Sequence, residues 1–293
     1  MPHALFALIL LGQIAAHDEA NPVYHSLIAE GIRGNAGSEA FKLPAPTFPD
    51  DATPEAINEA LEKVAGSKAA ARELMRDSVT APFILKTRDA RSGDDHVRAA
   101  DLWFVVHADL DRIDLGKISG QADDQAVEAG NMKFITKRLK EDDLREGKVE
   151  LLPPRDGRTE WFTHLDGRLL DRISVRATDR VVATRTPASV VVAARTDHAF
   201  GRDGRYSNMW ATVARKGAAE EMGPPREYAG GASYVKISKL AAEPGALLVE
   251  AHLVFFEPHG WFQGAPILRS KISVVAQDQI RRLRREIEQN RPK

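Results

Sequence analysis

From about Pro82 onward, apolar and polar residues alternate along much of the chain, which is typical of β-strands with one buried face. The clearest run spans residues 99–112, where Phe104 and Val106 belong to the apolar set and His107 to the polar set. Similar patterns predict strands near residues 82–88, 159–165, 168–178, 180–186, 189–197, 207–215, 232–240 and 246–257. Because short loops without helices join most of these runs, we expect a mostly antiparallel sheet.

Apolar residues at helical spacing precede this alternating region. Asn21 followed by Pro22, and Thr53 followed by Pro54, are typical helix starts, because the first residue caps the helix and proline suits its first turn. Ser67 is in position to cap one more helix. The last two helices are close together in the chain and are therefore predicted to form a helical hairpin.

Three further stretches complete the prediction. Residues 133–146 carry a helical pattern among many charges, residues 266–275 read as a final strand, and residues 276–290 read as a closing helix. Asp166-Gly167 is a turn signal between two strands. The predicted fold class is therefore α+β, with a large curved antiparallel sheet, as a half-barrel or a sandwich, an N-terminal helical hairpin and a C-terminal helix.

The first residues of the chain predict export. An unbroken apolar run from Ala4 to Leu11 is broken by Gly12 and Gln13, and Ala16 then offers a small residue for cleavage, which is the pattern of a secretory signal peptide. The run is shorter than the about 20 apolar residues that a membrane span requires. Met1-Pro2-His3 contains no Lys or Arg, so a short buried N-terminal helix is the alternative interpretation. The expected compartment is periplasmic or extracellular.

We expect signal peptidase to cleave after Ala16. N-terminal sequencing of the exported protein should then find His17 as the first residue, and a protein that still begins at Met1 would contradict the prediction. The corresponding division of the chain is a signal peptide at 1–16, a short helix with a Pro- and Gly-rich connector at 17–50, and a single α+β domain at 51–293.

Charge and composition narrow the classes of partner. The chain contains 41 Lys and Arg against 42 Asp and Glu, so no net field attracts nucleic acid, and aromatic residues make up only 6%. The absence of cysteine excludes thiolate nucleophiles, cysteine-bound zinc and iron–sulfur clusters. Neither a Walker-type loop nor a dinucleotide-binding glycine motif occurs. We therefore expect no cofactor, no nucleic-acid partner and no transmembrane span in the mature chain.

His107, Asp109 and Asp111 form the sharpest candidate for a metal site. In an uninterrupted strand their side chains would point to the same face, with neighbours about 6.6 Å apart. Imidazole and carboxylates at that spacing suit Zn, Mn or Fe. The alternative is the solvated polar face that antiparallel sheets commonly present opposite a buried one.

Other His–Asp neighbours are weaker candidates. Asp94-Asp95-His96 lies in a polar loop of the kind that usually forms a turn, and Asp197-His198 has no nucleophile beside it in the sequence. No serine of the chain sits in a Gly-x-Ser-x-Gly elbow, which argues against a serine hydrolase of that type.

The segment 247–256 is apolar on both faces, which is typical of a central strand covered on both sides. Leu248, Val254 and Phe256 share one of these faces, and we expect them to line a hollow in the sheet unless another layer packs on them. Trp261 follows in an aromatic loop that either contacts a ligand or packs on the core. These four residues are the predicted ligand contacts.

The function predicted from these observations is that of an exported, non-enzymatic protein. It would bind an apolar ligand, such as a lipid, or an envelope partner in the concavity of its sheet. The alternative is a metal-dependent hydrolase centred on His107, Asp109 and Asp111, so the sequence leaves open whether the protein is an enzyme. An interaction module that uses the arginine-rich stretch 281–285 is a third interpretation.

Overall fold

The structure is a computed structural model. It describes residues 17–34, 39–113, 125–129, 132–146, 148–201, 203–216, 219–262, 265 and 267–289. The predicted signal peptide at 1–16 lies outside the described residues. The helices are α1 (Pro22–Ala29), α2 (Pro54–Ala65), α3 (Lys68–Leu74), α4 (Glu141–Glu146), α5 (His259–Phe262) and α6 (Ile267–Gln289).

The strands form one large antiparallel sheet. They are β1 (Ile84–Ser92), β2 (Asp95–His107), β3 (Gln125–Ala129), β4 (Met132–Arg138), β5 (Arg158–Leu169), β6 (Ile173–Arg185), β7 (Ser189–Thr196), β8 (Met209–Lys216), β9 (Ala219–Met222), β10 (Arg226–Glu227), β11 (Gly231–Lys239) and β12 (Ala246–Glu257). The strand order is β1-β2-β12-β11-β7-β6-β5-β4-β3, and β8 joins the start of β6 to β9 and β10. The predicted α+β fold class with a large antiparallel sheet is confirmed. No pairing among the described strands closes this sheet, so it is open.

The N-terminal helices begin where their caps predict. The side chain of Asn21 accepts a hydrogen bond from the backbone nitrogen of Tyr24 at 3.0 Å, and that of Thr53 accepts one from Ala56 at 3.3 Å. Gly66 ends α2 in the left-handed conformation, with φ of 85°. These contacts satisfy backbone groups that a helix end otherwise leaves without partners.

The structure corrects four local predictions. Residues 132–138 form strand β4, and only residues 141–146 of the predicted helix at 133–146 are helical. Residues 267–275 belong to helix α6, so the predicted strand at 266–275 is wrong. Asp166-Gly167 lies inside β5, where the ring of Phe134 occupies the space that a side chain at Gly167 would fill, and the turn follows at Leu170 and Asp171. Strand β2 stops at His107, and residues 110–112 form a 3₁₀ turn.

Different parts of the chain cover the two faces of the sheet. Helices α1 to α3 and the connector between α1 and α2 pack on one face, which we call the N-terminal face. Helix α6 packs on the opposite face, which we call the α6 face. Strand β2 is consequently buried on both sides: Asp101 and Trp103, on the face opposite Phe104, are buried as completely as Phe104.

Candidate functional site

The two faces of the central strand β12 differ in burial. His252 and Val254 point to the N-terminal face, and both are 1% exposed. Ala251, Leu253 and Phe255 alternate with them and point to the α6 face, where all three are partly exposed. The α6 face is therefore incompletely covered at the middle of the sheet, although the residues there are apolar.

Helix α6 is held on this face at its two ends. Leu268 belongs to a buried cluster with Val175, and Ile280 belongs to a second cluster with Val181. Val175 and Val181 lie on the same face of β6, so the two clusters are neighbours along the sheet. The helix between the two contact points is about 18 Å long at 1.5 Å per residue. Its middle therefore crosses the gap between the clusters.

Beside the second cluster the α6 face carries partly exposed apolar residues, of which Leu102, Ala194 and Val235 pack against that cluster. Val235 of β11 lies opposite Ala251 of β12, which in turn lies opposite Leu102 of β2. Leu253 and Ala194 extend the floor toward β7, with the partly exposed Ser233 of β11 between them, and all five apolar side chains are partly exposed. We call these five residues the apolar trough. On helix α6, the residues between its two anchors that are apolar and partly exposed are Ile272, Val275 and Ala276.

One end of the trough is polar. Asp179 of β6 pairs with Thr163 of β5 and with Thr196 of β7, and all three share the α6 face. The hydroxyl of Thr196 donates a hydrogen bond to the Asp179 carboxylate at 2.8 Å. Burial raises the pKa of Asp179 to about 6, although this hydrogen bond lowers it, and the charge of Asp197 adds to the rise.

A separate cleft of about 1290 Å³ lies at the end of the sheet. It brings together Asp94, Asp95, His198 and His259, which come from three separate segments of the chain. Burial and the charge of Asp94 raise the pKa of Asp95. Because carboxylates, imidazoles and guanidinium groups such as that of Arg226 all line the cleft, its charges indicate no single class of ligand.

The residues of the predicted metal site have other partners. Nε2 of His107 lies 2.9 Å from the backbone oxygen of Met75, Asp109 accepts a hydrogen bond from the backbone of Asp111 at 3.0 Å, and Asp111 pairs with Arg185 at 3.2 Å. Because β2 ends at His107, the alternation that would align the three side chains is absent. Within the described residues, no three His, Asp or Glu side chains could hold a metal together.

The predicted ligand contacts are placed in the interior. Leu248, Val254 and Phe256 are at most 1% exposed, because α1, α2, α3 and the connector pack on the face that they share. We expected these three residues to line a hollow unless another layer packs on them, and such a layer is present. Trp261 is buried elsewhere, stacked on Tyr228 with ring centroids 5.5 Å apart. Sequence alternation could have indicated the trough through the opposite residues of the same strand.

A polar cluster under the N-terminal segment has the composition of a nucleophilic triad but not its arrangement. Nε2 of His17 lies 2.8 Å from Oγ of Ser189, and that hydroxyl donates to the Asp50 carboxylate at 2.7 Å. The other nitrogen of His17 contacts Thr184, whereas a triad needs the acid at that position. Ser189 is fully buried. The cluster therefore fastens residues 17–50 to the sheet, and Lys236 completes it with an ion pair to Asp50.

Comparisons with known proteins leave the family open. No family model matches the chain, and no curated protein matches it. Among solved structures, the human StarD13 (DLC2) lipid transfer and protein localization domain shares 11% sequence identity with the chain at a TM-score of 0.34. The match covers 69% of this chain and 89% of that domain. A TM-score this low transfers no function.

Of the helices that the structure describes, none combines the length and the apolar character needed to cross a membrane.

Proposed function

We propose that the protein binds an apolar ligand in the trough between the sheet and helix α6. The observation that carries the proposal is the contrast between the two faces of β12. Ala251 and Leu253 on the α6 face are partly exposed, whereas His252 and Val254 on the N-terminal face are buried. Apolar side chains left open at the centre of a sheet are a surface that a ligand can cover.

The energetics of the trough favour such a ligand. Burial of apolar surface stabilises a complex by about 25 cal/mol for each Å² removed from water. Ligand sites of this kind are mostly apolar and carry a few polar groups that orient the ligand. The trough has this composition, with a mostly apolar floor that Ser233 interrupts and a polar end formed by Thr163, Asp179 and Thr196.

We also infer that residues 1–16 direct the protein out of the cytoplasm, so that the ligand is met in the periplasm or outside the cell. The apolar run from Ala4 to Leu11 and the small residue Ala16 after it support this inference. The N-terminal sequencing described above tests it independently of ligand binding.

Binding can be tested with N-phenylnaphthylamine, a neutral dye whose fluorescence rises in apolar surroundings. We expect the native protein to enhance its fluorescence and dodecanol to displace it. Ala251→Phe should weaken dye binding about tenfold or more, because the added ring fills the trough. Ala90→Phe is the matched control, since Ala90 is exposed on the edge strand β1 and its substitution should leave dye binding unchanged.

Two results would overturn the proposal. One is a native protein that does not bind the dye, and the other is equal dye binding by the two folded Phe variants. Elemental analysis of the same preparation addresses the hydrolase alternative. Stoichiometric zinc or manganese that is lost in His107→Ala would favour a metal-dependent enzyme over an apolar-ligand carrier.

A further inference from the structure

Asp179 has an unusual position for a carboxylate. On its face of β6, Val175 and Ala177 precede it in one apolar cluster, and Val181 and Ala183 follow it in the other. Asp179 is partly buried at the polar end of the trough, between these clusters. A carboxylate removed from water at such a site is costly unless a partner stabilises its charge.

Within the described residues, no cation pairs with Asp179. Its one polar contact there is the hydrogen bond from Thr196. Arg180, the next residue, points to the N-terminal face and pairs with Asp197 at 3.0 Å. Arg138 lies opposite Thr163 on β4, with its guanidinium 5.7 Å from the ring centroid of Trp161. The charge of the Asp179 carboxylate therefore has no counter-ion in the described part of the chain.

Thr163 supplies a second unsatisfied group at the same place. It is 8% exposed and lies directly opposite Asp179 in the β5–β6 pairing. Its hydroxyl oxygen is buried and has no hydrogen-bond partner among the described residues. Buried hydroxyls nearly always have a partner, and this one can both donate and accept.

We propose that Asp179 and Thr163 form the binding site for the polar end of the ligand, and that this end is a protonated amine. This inference rests on the proposed function, since the ligand's apolar chain would lie along Ala194, Leu253 and Ala251. An ammonium group provides the missing counter-ion for Asp179 and donates a hydrogen bond to the oxygen of Thr163. A fatty acid would instead place a second carboxylate beside Asp179.

The protonation state of Asp179 fits this ligand. With its pKa raised to about 6 by burial, the carboxyl is mostly ionised at neutral pH. Attraction or repulsion between charges is strong in such partly dry surroundings. The site should consequently discriminate between ligands that have the same apolar chain but opposite charges.

The experiment compares dodecylamine with dodecanoate as displacers of N-phenylnaphthylamine at about pH 8, where both ligands and Asp179 are charged. We expect dodecylamine to displace the dye at a concentration about tenfold lower than dodecanoate. Asp179→Asn should remove this difference, because asparagine carries no charge, although it still accepts the hydrogen bond from Thr196. Asp166→Asn, at an exposed position of the neighbouring strand, should preserve the difference.

The outcomes separate the two proposals. Dye binding with equal displacement by the amine and the carboxylate would refute the amine site and leave the apolar trough in place. The same would follow if the preference for dodecylamine survived in Asp179→Asn. A wild-type protein that binds neither the dye nor the ligands would refute both proposals.

Discussion

Replacement of Phe104 by alanine should lower the free energy of unfolding by about 3–5 kcal/mol, the usual cost of emptying a buried aromatic site. Phe104 is 5% exposed and belongs to the cluster that anchors the C-terminal half of α6. The guanidinium of Arg284 on that helix lies 5.8 Å from its ring centroid. The substitution therefore removes packing from β2 and from the anchor of α6 at once. Chemical denaturation followed by circular dichroism measures the loss.

Asp109→Asn is the control for this prediction, because Asp109 lies near the end of the segment 99–112 that also contains Phe104. Asp109 is exposed and accepts a hydrogen bond from the backbone of Asp111, which asparagine can also accept. Its expected effect is within about 0.5 kcal/mol. Similar losses in Phe104→Ala and Asp109→Asn would show that the two positions have been assigned to the wrong environments.

Local signals in the sequence predicted the local structure well. Asn21 and Thr53 begin helices because their side chains satisfy backbone groups only a few residues away. The alternation around Phe104 and Val106 predicted both a strand and its core face, since a strand turns successive side chains to opposite sides. These predictions needed no knowledge of distant parts of the chain.

The same alternation could not predict what covers the second face. Trp103 lies on the face opposite Phe104, and the connector covers it: the indole nitrogen of Trp103 donates to Thr47 at 2.9 Å. Leu248 is buried for the same reason, under α2 and α3. Which face is open depends on the long-range packing of residues 17–81. The alternation of apolar and polar residues within one strand carries no information about that packing.

The candidate site depends on contacts even further apart in the chain. The trough exists because β12 pairs with β2, which places Ala251 beside Leu102, and because α6 packs on the same face of the sheet. Neither the pairing nor the two anchors of the helix has a local signature. The predicted alignment of His107 with Asp109 and Asp111 depended on local pattern alone and assumed that the strand continued to Asp111, where the backbone turns.

Replacement of Lys236 by methionine is the second substitution expected to have a large effect. The Lys236 ammonium is 2.8 Å from the Asp50 carboxylate, in the buried cluster that fastens residues 17–50 to the sheet. The removal of one partner of a buried ion pair typically costs about 3–5 kcal/mol, because the other charge stays buried without compensation. Lys239→Met, at the exposed end of the same strand, is the matched control and should change stability little.

The dependence on pH identifies the cause of the loss. Burial alone would raise the pKa of Asp50, but hydrogen bonds with His17 and Lys236 and the charge of Lys236 outweigh it, so the pKa lies well below its usual range. A carboxyl with a depressed pKa contributes stability above its unfolded pKa of about 3.9, and this contribution is lost as the pH falls. The difference between wild type and Lys236→Met should therefore be largest near neutral pH and shrink in acid.

A double variant separates the lost charge partner from the lost packing. Asp50→Asn in the Lys236→Met background removes the uncompensated carboxylate and keeps an acceptor for Ser189, whose hydroxyl donates to Asp50 at 2.7 Å. We expect it to regain a substantial part of the stability that Lys236→Met loses at neutral pH, because replacing both members of a buried pair costs less than removing one. A double variant less stable than Lys236→Met, with no dependence of the loss on pH, would show that the ion pair does not fasten the N-terminal segment.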